Sequence, residues 1–328
     1  MSNCAICDIF CNKYVLSTIF VLVCIKIWYK ATMGECRSKK RMNGKTVIVT
    51  GANSGIGKET ARDLARRGAR VILACRNLKL GKEAQDEIIE TTGNKNVVLY
   101  KLDLASLSSV REFARTVIKM ESRLDVLVNN AGAGGLPNKK SVDGLQILMQ
   151  VNHFGPFLLT ILLLDLLKKS APSRIIMVSS LMHHFSTLKV DNLNYEKSFS
   201  GMMNYADSKL ANILMANELA RKLKGTGVTS NSLHPGVVMT HLWRQLPSLA
   251  RVIMDQMARI FFKTSLEGAQ TSIYLAVSED VEGVSGKYFV DCKEAYMSRA
   301  ARNEQLAKKV WEKSEELVSL KASERLYL

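Results

Sequence analysis

The sequence predicts an α/β fold, a doubly wound parallel sheet in a single domain that follows an N-terminal membrane anchor. Three observations predict it. From residue 45 onward, short runs rich in Val, Ile and Leu alternate with stretches of helical period, as a parallel sheet buried on both faces requires. A glycine-rich turn joins the first of these strands to the first helix, the place where a doubly wound sheet meets its ligand. No internal repeat or low-complexity linker divides the run, and 328 residues of 47% hydrophobic content can fill one large core.

In chain order, strands are expected at 46–50, 70–74, 97–102, 124–129 and 174–179. Helices are expected from Gly57 or Lys58, through Ile89, after Ser106 and after Asn152. The expected organisation is a tail and anchor at 1–42, the sheet domain at 43–292 and a charged helical C-terminal tail at 293–328.

Residues 14–29 (YVLSTIFVLVCIKIWY) are apolar except for Lys26 and two small hydroxyl residues, with Trp28 and Tyr29 at the far end. They read as a membrane anchor. Sixteen helical residues reach about 24 Å, short of the roughly 20 residues a span usually needs, so Lys26 is expected to snorkel toward the headgroups. A cleavable signal peptide is the alternative, but no A-x-A site follows and the body has no N-x-[ST] sequon. Arg37, Lys39, Lys40, Arg41 and Lys45 come next, and such a cluster favours the cytosolic side for the body.

The 46 basic and 30 acidic residues give a net charge of +16, which suits an anionic membrane, nucleic acid or a polyphosphate cofactor. The chain has no zinc-finger spacing, RNA-recognition signature or basic-aromatic stripe, and nucleic acid is not an expected partner. Five of the seven cysteines precede residue 37, which is no disulfide framework. Cys4-x2-Cys7 lacks a second pair, so a flexible, S-acylated tail is the simpler reading than zinc.

The first strand runs into Thr50-Gly51-Ala52-Asn53-Ser54-Gly55-Ile56-Gly57. Glycines there let the backbone turn and approach a pyrophosphate, and the following helix N-terminus offers free N–H groups and positive dipole. The spacing is G-x-x-x-G-x-G, not the commoner G-x-G-x-x-G. The second strand ends Leu73-Ala74-Cys75-Arg76-Asn77, with no carboxylate for ribose hydroxyls but a guanidinium able to hold a 2′-phosphate. NADP(H) is therefore expected in preference to NAD(H). An exposed, solvated loop arginine is the alternative.

Four motifs in order and spacing carry a resemblance: the turn 50–57, Asn129-Asn130-Ala131-Gly132, Tyr205-x3-Lys209 and Pro235-Gly236-x-Val238-x-Thr240. Together they resemble the short-chain dehydrogenase/reductase family over nearly the whole chain after the anchor. The stretches 151–160, 179–184 and 205–212 are similar to the microsomal retinol dehydrogenases, as is the anchor followed by basic residues. The resemblance implies an endoplasmic-reticulum membrane and a lipophilic alcohol and its carbonyl as substrates, retinol and retinal first, with sterols and fatty aldehydes open. It implies that Gly51, Asn53, Ser54, Gly55, Ile56 and Gly57 hold the cofactor and that Asp103 and Leu104 frame its adenine. It further implies that Asn129, Ala131 and Gly132 back the cleft, and that Val238 and Thr240 meet the nicotinamide carboxamide. The segment Asn129-Asn130-Ala131-Gly132-Ala133-Gly134-Gly135 departs from the subgroup's apolar continuation after the glycine, a change expected to widen the mouth of the pocket.

Alcohol and carbonyl interconvert by hydride transfer with a proton moved at oxygen, so a general acid/base must stand beside that oxygen. Tyr205 is the candidate, and Lys209, one turn later on the same face, is expected to lower its pKa and to bind the nicotinamide ribose. Ser180 is expected to hydrogen-bond the substrate oxygen, with Ser179 as its rival, and Asn152 resembles the residue holding a water in the family's proton relay. His183-His184 has no nearby acidic or thiol partner, and no metal is expected. Ser180 lacks a G-x-S-x-G elbow. Residues 248–263 have apolar residues at helical spacing, either a core-covering helix or a lid on the membrane surface. A membrane-tethered, catalytically silent nucleotide-binding scaffold is the function of another class, and a homodimer is compatible with the anchor.

Overall fold

Every side chain of β1 (Thr46–Thr50) is buried, and the strand's period of two sends Ile48 to one face of the sheet and Val47 and Val49 to the other. A computed structural model describes residues 13–197, 201–237 and 262–325. After β1 come α2 (Gly55–Arg66), β2 (Arg70–Cys75), α3 (Leu78–Thr92), β3 (Val97–Lys101), α4 (Leu107–Met120) and β4 (Val126–Asn129). Then follow α5 (Gly155–Lys169), β5 (Ser173–Val178), α6 (Gly201–Lys222), β6 (Val228–His234), α7 (Ser265–Val277), β7 (Tyr288–Val290), β8 (Lys293–Glu294) and α8 (Glu304–Leu317). Ahead of them all stands α1 (Lys13–Thr32).

The strands pair in the order β3-β2-β1-β4-β5-β6-β7-β8, all parallel until β8, which runs antiparallel beside β7. Between β1 and β4 the order reverses direction, which opens a crevice at their carboxyl ends. One apolar cluster lies under α4, α5, α6 and α8 and includes Phe113, Phe157, Leu214 and Trp311. The other lies under α2 and α7 and includes Val49, Leu64 and Ile273. These are the doubly wound sheet and the two covered faces that the alternating pattern predicted.

Boundaries moved by one to three residues for local reasons. β4 begins at Val126, because Asp125 turns its carboxylate to the Thr46 N–H (2.9 Å), Lys45 (2.9 Å) and Arg123 (2.6 Å). α2 begins at Gly55, before the expected Gly57 or Lys58, since Gly55 itself makes the turn at φ +59°. The segment 293–328, expected as a charged helical tail, carries the helix α8, which packs on the core, and also adds β8 to the sheet. In α8, Ala307, Val310, Trp311 and Ser314 recur on one helical face and are buried, with Trp311 edge-on to Phe157 at 4.8 Å.

Two apolar helices meet opposite fates. Ile147–Lys169 is long and hydrophobic enough to cross a bilayer, yet it lies mostly buried in the core. α1 spans 20 residues, more than the 16 expected, or about 30 Å of helix. It leaves Leu16, Phe20, Val21, Val23, Ile25 and Ile27 exposed. Length and exposure make it compatible with a membrane anchor.

Candidate active site

The loop from β1 to α2 is shaped by what glycine lacks. Gly51 sits at φ +67°, and a Cβ on Gly57 would lie 2.4 Å from Asn130 Nδ2 and 2.5 Å from the Gly51 carbonyl oxygen. Neither position tolerates a side chain without displacing backbone. At Gly55 a Cβ would meet nothing closer than 4.0 Å, so open space faces the start of α2. Ser54 precedes the helix in extended conformation without a side-chain cap, which leaves the first-turn N–H groups directed at that space. This cradle fits a pyrophosphate.

Asn130 holds the two sides of the crevice together, a role the sequence reading did not assign. Its Nδ2 donates to the Thr50 carbonyl (2.9 Å), while the Thr50 hydroxyl accepts from the Asn130 and Ala131 N–H groups (3.0 and 2.9 Å). Asn129 points the other way, into the core, where Nδ2 donates to Thr160 Oγ1 at 3.0 Å. The available signal was the strand's alternation: of two successive asparagines at a strand end, only one side chain can face the cleft.

Across the crevice, α6 and the end of β5 meet. Tyr205 is half-buried, with the Ser180 hydroxyl turned toward its phenol, while Ser180 Oγ accepts from the Met182 N–H at 3.3 Å. Lys209 is completely buried, with Nζ 5.5 Å from the Tyr205 ring centre and donating to the Val178 carbonyl at 3.2 Å. Ser179 donates to the Lys209 carbonyl (2.7 Å) and so faces the helix backbone, whereas Ser180 faces Tyr205. His183 reinforces that placement: Nδ1–H donates to the Ser180 carbonyl (2.8 Å) and Nε2 accepts from the Ser298 N–H (3.3 Å). Burial pushes His183 down to about 4, so the ring is neutral.

Asn152 stands in a π turn, Gln150–Phe154, that leads into α5. Such a wide turn is common at functional positions. Asn152 Oδ1 accepts from the Ala133 N–H (2.7 Å), and Nδ2 donates to the Ala133 carbonyl (2.9 Å) and to Ser208 Oγ (3.0 Å). Its carbonyl accepts from Asn212 Nδ2 at 2.9 Å. Gly132 lies between the two polar groups, since a Cβ there would be 3.1 Å from Lys209 Nζ and 3.5 Å from Asn152 Oδ1. Ser208 and Asn212 are thus further residues of the cluster, on the face of α6 that carries Tyr205 and Lys209.

Burial pushes the Tyr205 phenol above its ordinary value, opposed by the Ser180 hydrogen bond. The lowering expected from Lys209 does not prevail in this geometry. Lys209 itself is pushed down to about 8 by burial, which weakens its hold on a positive charge.

Arg76 follows β2 directly, is exposed and joins no ion pair among the described residues. Its neighbour Cys75 is buried, with its thiol pushed up to about 11 by desolvation. Asp103 accepts from the Ala105 N–H at 3.0 Å beyond β3, and Leu104 is buried beside Gly155. Asn53 is half-buried, and Ile56 packs on the apolar cluster beneath α2. Val238, Thr240 and nearly all of 248–263 lie outside the described residues. A separate cavity of about 440 Å³, lined by Lys45, Asp125, Arg174 and Gly227 among others, opens at the amino ends of the strands, away from this cluster.

The family model of the short chain dehydrogenases matches residues 45–249, from β1 past the Tyr205 helix. The chain belongs to the short-chain dehydrogenase family. It is therefore an oxidoreductase with a nicotinamide cofactor. This short-chain dehydrogenase is 50% identical over 291 residues to mouse retinol dehydrogenase 14, covering 85% of this chain and 87% of the relative. It is 46% identical to human retinol dehydrogenase 12 over 288 residues, 88% of this chain and 90% of the relative. Among solved structures, an uncharacterised protein from Mycobacterium paratuberculosis superposes with TM-score 0.71 at 32% identity, covering 88% of this chain and 98% of its own. A short chain dehydrogenase from Shigella flexneri complexed with NADP gives TM-score 0.62 at 26% identity, covering 78% and 100%.

Proposed function

We propose that this dehydrogenase interconverts retinol and retinal with NADP(H), working at the endoplasmic-reticulum membrane with its catalytic body in the cytosol. The observation that carries the chemistry is the grouping of Tyr205 and Ser180 with a buried Lys209, whose Nζ lies 5.5 Å from the Tyr205 ring centre and beside Gly132. The retinol dehydrogenases at 45–50% identity support the substrate, and the exposed α1 followed by Arg37, Lys39, Lys40 and Arg41 supports the membrane and its sidedness.

Gly51, Asn53, Ser54, Gly55, Ile56 and Gly57 would hold the pyrophosphate, and Arg76 the 2′-phosphate that distinguishes NADP(H) from NAD(H). Asp103 and Leu104 would frame the adenine, with Ala131 and Gly132 behind the cleft, Asn129 supporting them from the core side, and Val238 and Thr240 at the carboxamide. When bound, the nicotinamide supplies the hydride for reduction or accepts it for oxidation. Tyr205 donates its phenolic proton to the carbonyl oxygen during reduction and takes it back during oxidation. Ser180 donates a hydrogen bond to that oxygen as negative charge develops, and its carbonyl is fixed by His183. Lys209, protonated, steadies the phenolate left on Tyr205. Asn152, held on three sides, keeps the π turn open beside Lys209 for the returning proton.

Membranes carrying the full chain are expected to oxidise NADPH when given all-trans-retinal. Absence of turnover across a panel of lipophilic aldehydes would overturn the proposal.

A further inference from the structure

Large apolar side chains lie exposed at the end of the domain that holds the carboxyl ends of the strands, and Leu181, Phe185, Met202, Val237 and Leu266 among them follow β5 and β6 or open the helices beyond. Topology groups them. Leu181 and Phe185 follow the carboxyl end of β5, and Val237 follows that of β6. Met202 is in the first turn of α6, ahead of Tyr205, and Leu266 is in the first turn of α7. In a parallel sheet all of these termini share the end that holds the cleft. Solvent does not reward such a rim, and apolar exposure grouped at one end of a molecule marks an interaction surface.

The chain between α1 and β1 fixes where α1 leaves the domain. Lys30, in the last turn of α1, pairs with Glu267, next to Leu266. The Gly34 N–H donates to Asp291 Oδ1 (3.3 Å) just past β7, and the same oxygen accepts from the buried Lys263. Lys263 in turn donates its N–H to the Val237 carbonyl at 2.8 Å. The strap then descends along the domain: the Cys36 N–H donates to Gln270 Oε1 (3.1 Å), Ser38 Oγ to Glu279 (2.8 Å), and Arg67 to the Ser38 and Lys40 carbonyls (2.8 and 3.0 Å). It reaches the base of the sheet, where β1 begins. Gly34 is required at the top, because a Cβ there would lie 1.9 Å from the Asp291 carbonyl oxygen.

We propose that the strap 33–42 fixes the exit of α1 beside the cleft and thereby seats the rim of Leu181, Phe185, Met202, Val237 and Leu266 on the bilayer into which α1 inserts. The cleft then opens toward lipid, and a lipophilic substrate passes from the acyl chains to Tyr205 without crossing water. Each rim side chain adds interfacial contact that the anchor alone does not supply. The inference rests on reading α1 as a membrane anchor and, for the route to Tyr205, on the lipophilic substrate class proposed above, but not on the cofactor.

The test uses the full chain in phosphatidylcholine vesicles containing a lipid with a photoreactive diazirine on its acyl chain. Irradiation is expected to attach lipid to α1 and also to peptides bearing residues 181–185, 202 and 266. Adducts confined to α1, or adducts at Ile118 and Met120 on the opposite end, would each overturn it. Gly34→Val is expected to keep the α1 adducts and to lower the rim adducts several-fold. Unchanged rim labelling in that variant would remove the strap from the proposal. Leu266→Glu is expected to raise KM for a membrane-dissolved aldehyde about five-fold while leaving kcat on a short water-soluble aldehyde unchanged. Equal effects on both would also overturn it. The crosslinking needs no turnover, so failure of the retinal assay leaves its outcome readable.

Discussion

The Lys209 ammonium nitrogen lies 5.5 Å from the centre of the Tyr205 ring, one helical turn along α6, and the two share the cleft with Ser180. If the phenol is the proton donor, Tyr205→Phe removes the reaction's acid without removing packing. Turnover is expected to fall about a thousand-fold, while NADPH affinity, read by fluorescence titration, stays nearly unchanged.

The same lysine sets a pH limit. Burial pushes it down to about 8, so the charge that steadies the Tyr205 phenolate is present below that pH and lost above it. Reductive kcat is expected to hold on the acid side and fall as pH rises through about 8. Lys209→Arg, whose guanidinium stays charged, is expected to be slower but to lack that descending limb.

Arg76 stands exposed at the end of β2, where a 2′-phosphate would be met. Arg76→Ala is expected to weaken NADPH binding by about ten-fold or more, the worth of a lost charge-assisted pair, and to leave NADH binding alone. Titration of both cofactors against both proteins checks it, and equal NADPH affinity would overturn the cofactor assignment.

Gly57 has no room for a methyl group, with Asn130 Nδ2 at 2.4 Å from the site a Cβ would take. Gly57→Ala is expected to push Asn130 from the Thr50 carbonyl and distort the cradle. Cofactor affinity is expected to fall more than ten-fold, with a lowered melting temperature that saturating cofactor only partly restores.

His153 is completely buried and pushed down to about 4 by desolvation, with its ring nitrogens against Asn212 and Ser314. Above its ordinary value of 6.5 the ring is neutral whether folded or not, and stability is full. As pH falls from there toward 4 the unfolded chain takes the proton and the native one does not, so stability drops, by about 3 kcal/mol for this group. Urea unfolding across that window should show the loss, and His153→Gln should flatten it by one proton's worth of slope.

Local pattern determined much of this protein by itself. The alternation of buried strands with amphipathic helices specified the doubly wound sheet, because short continuous apolar runs and stretches of 3.6-residue period are both written in neighbouring residues. Gly51, Gly55 and Gly57 announced a close backbone approach, and Arg76 at a strand end announced a cation, because both depend on residue type at a place fixed by the first two strands. Tertiary structure decided what local pattern leaves open. Asn130 and not Asn129 braces the crevice, Ser179 turns to the Lys209 carbonyl and leaves Ser180 toward Tyr205, and the helix of the C-terminal tail lays its apolar stripe on the core. Each of these is a choice of side-chain direction or partner across more than twenty residues of chain, settled by packing between elements, which no sequence window contains.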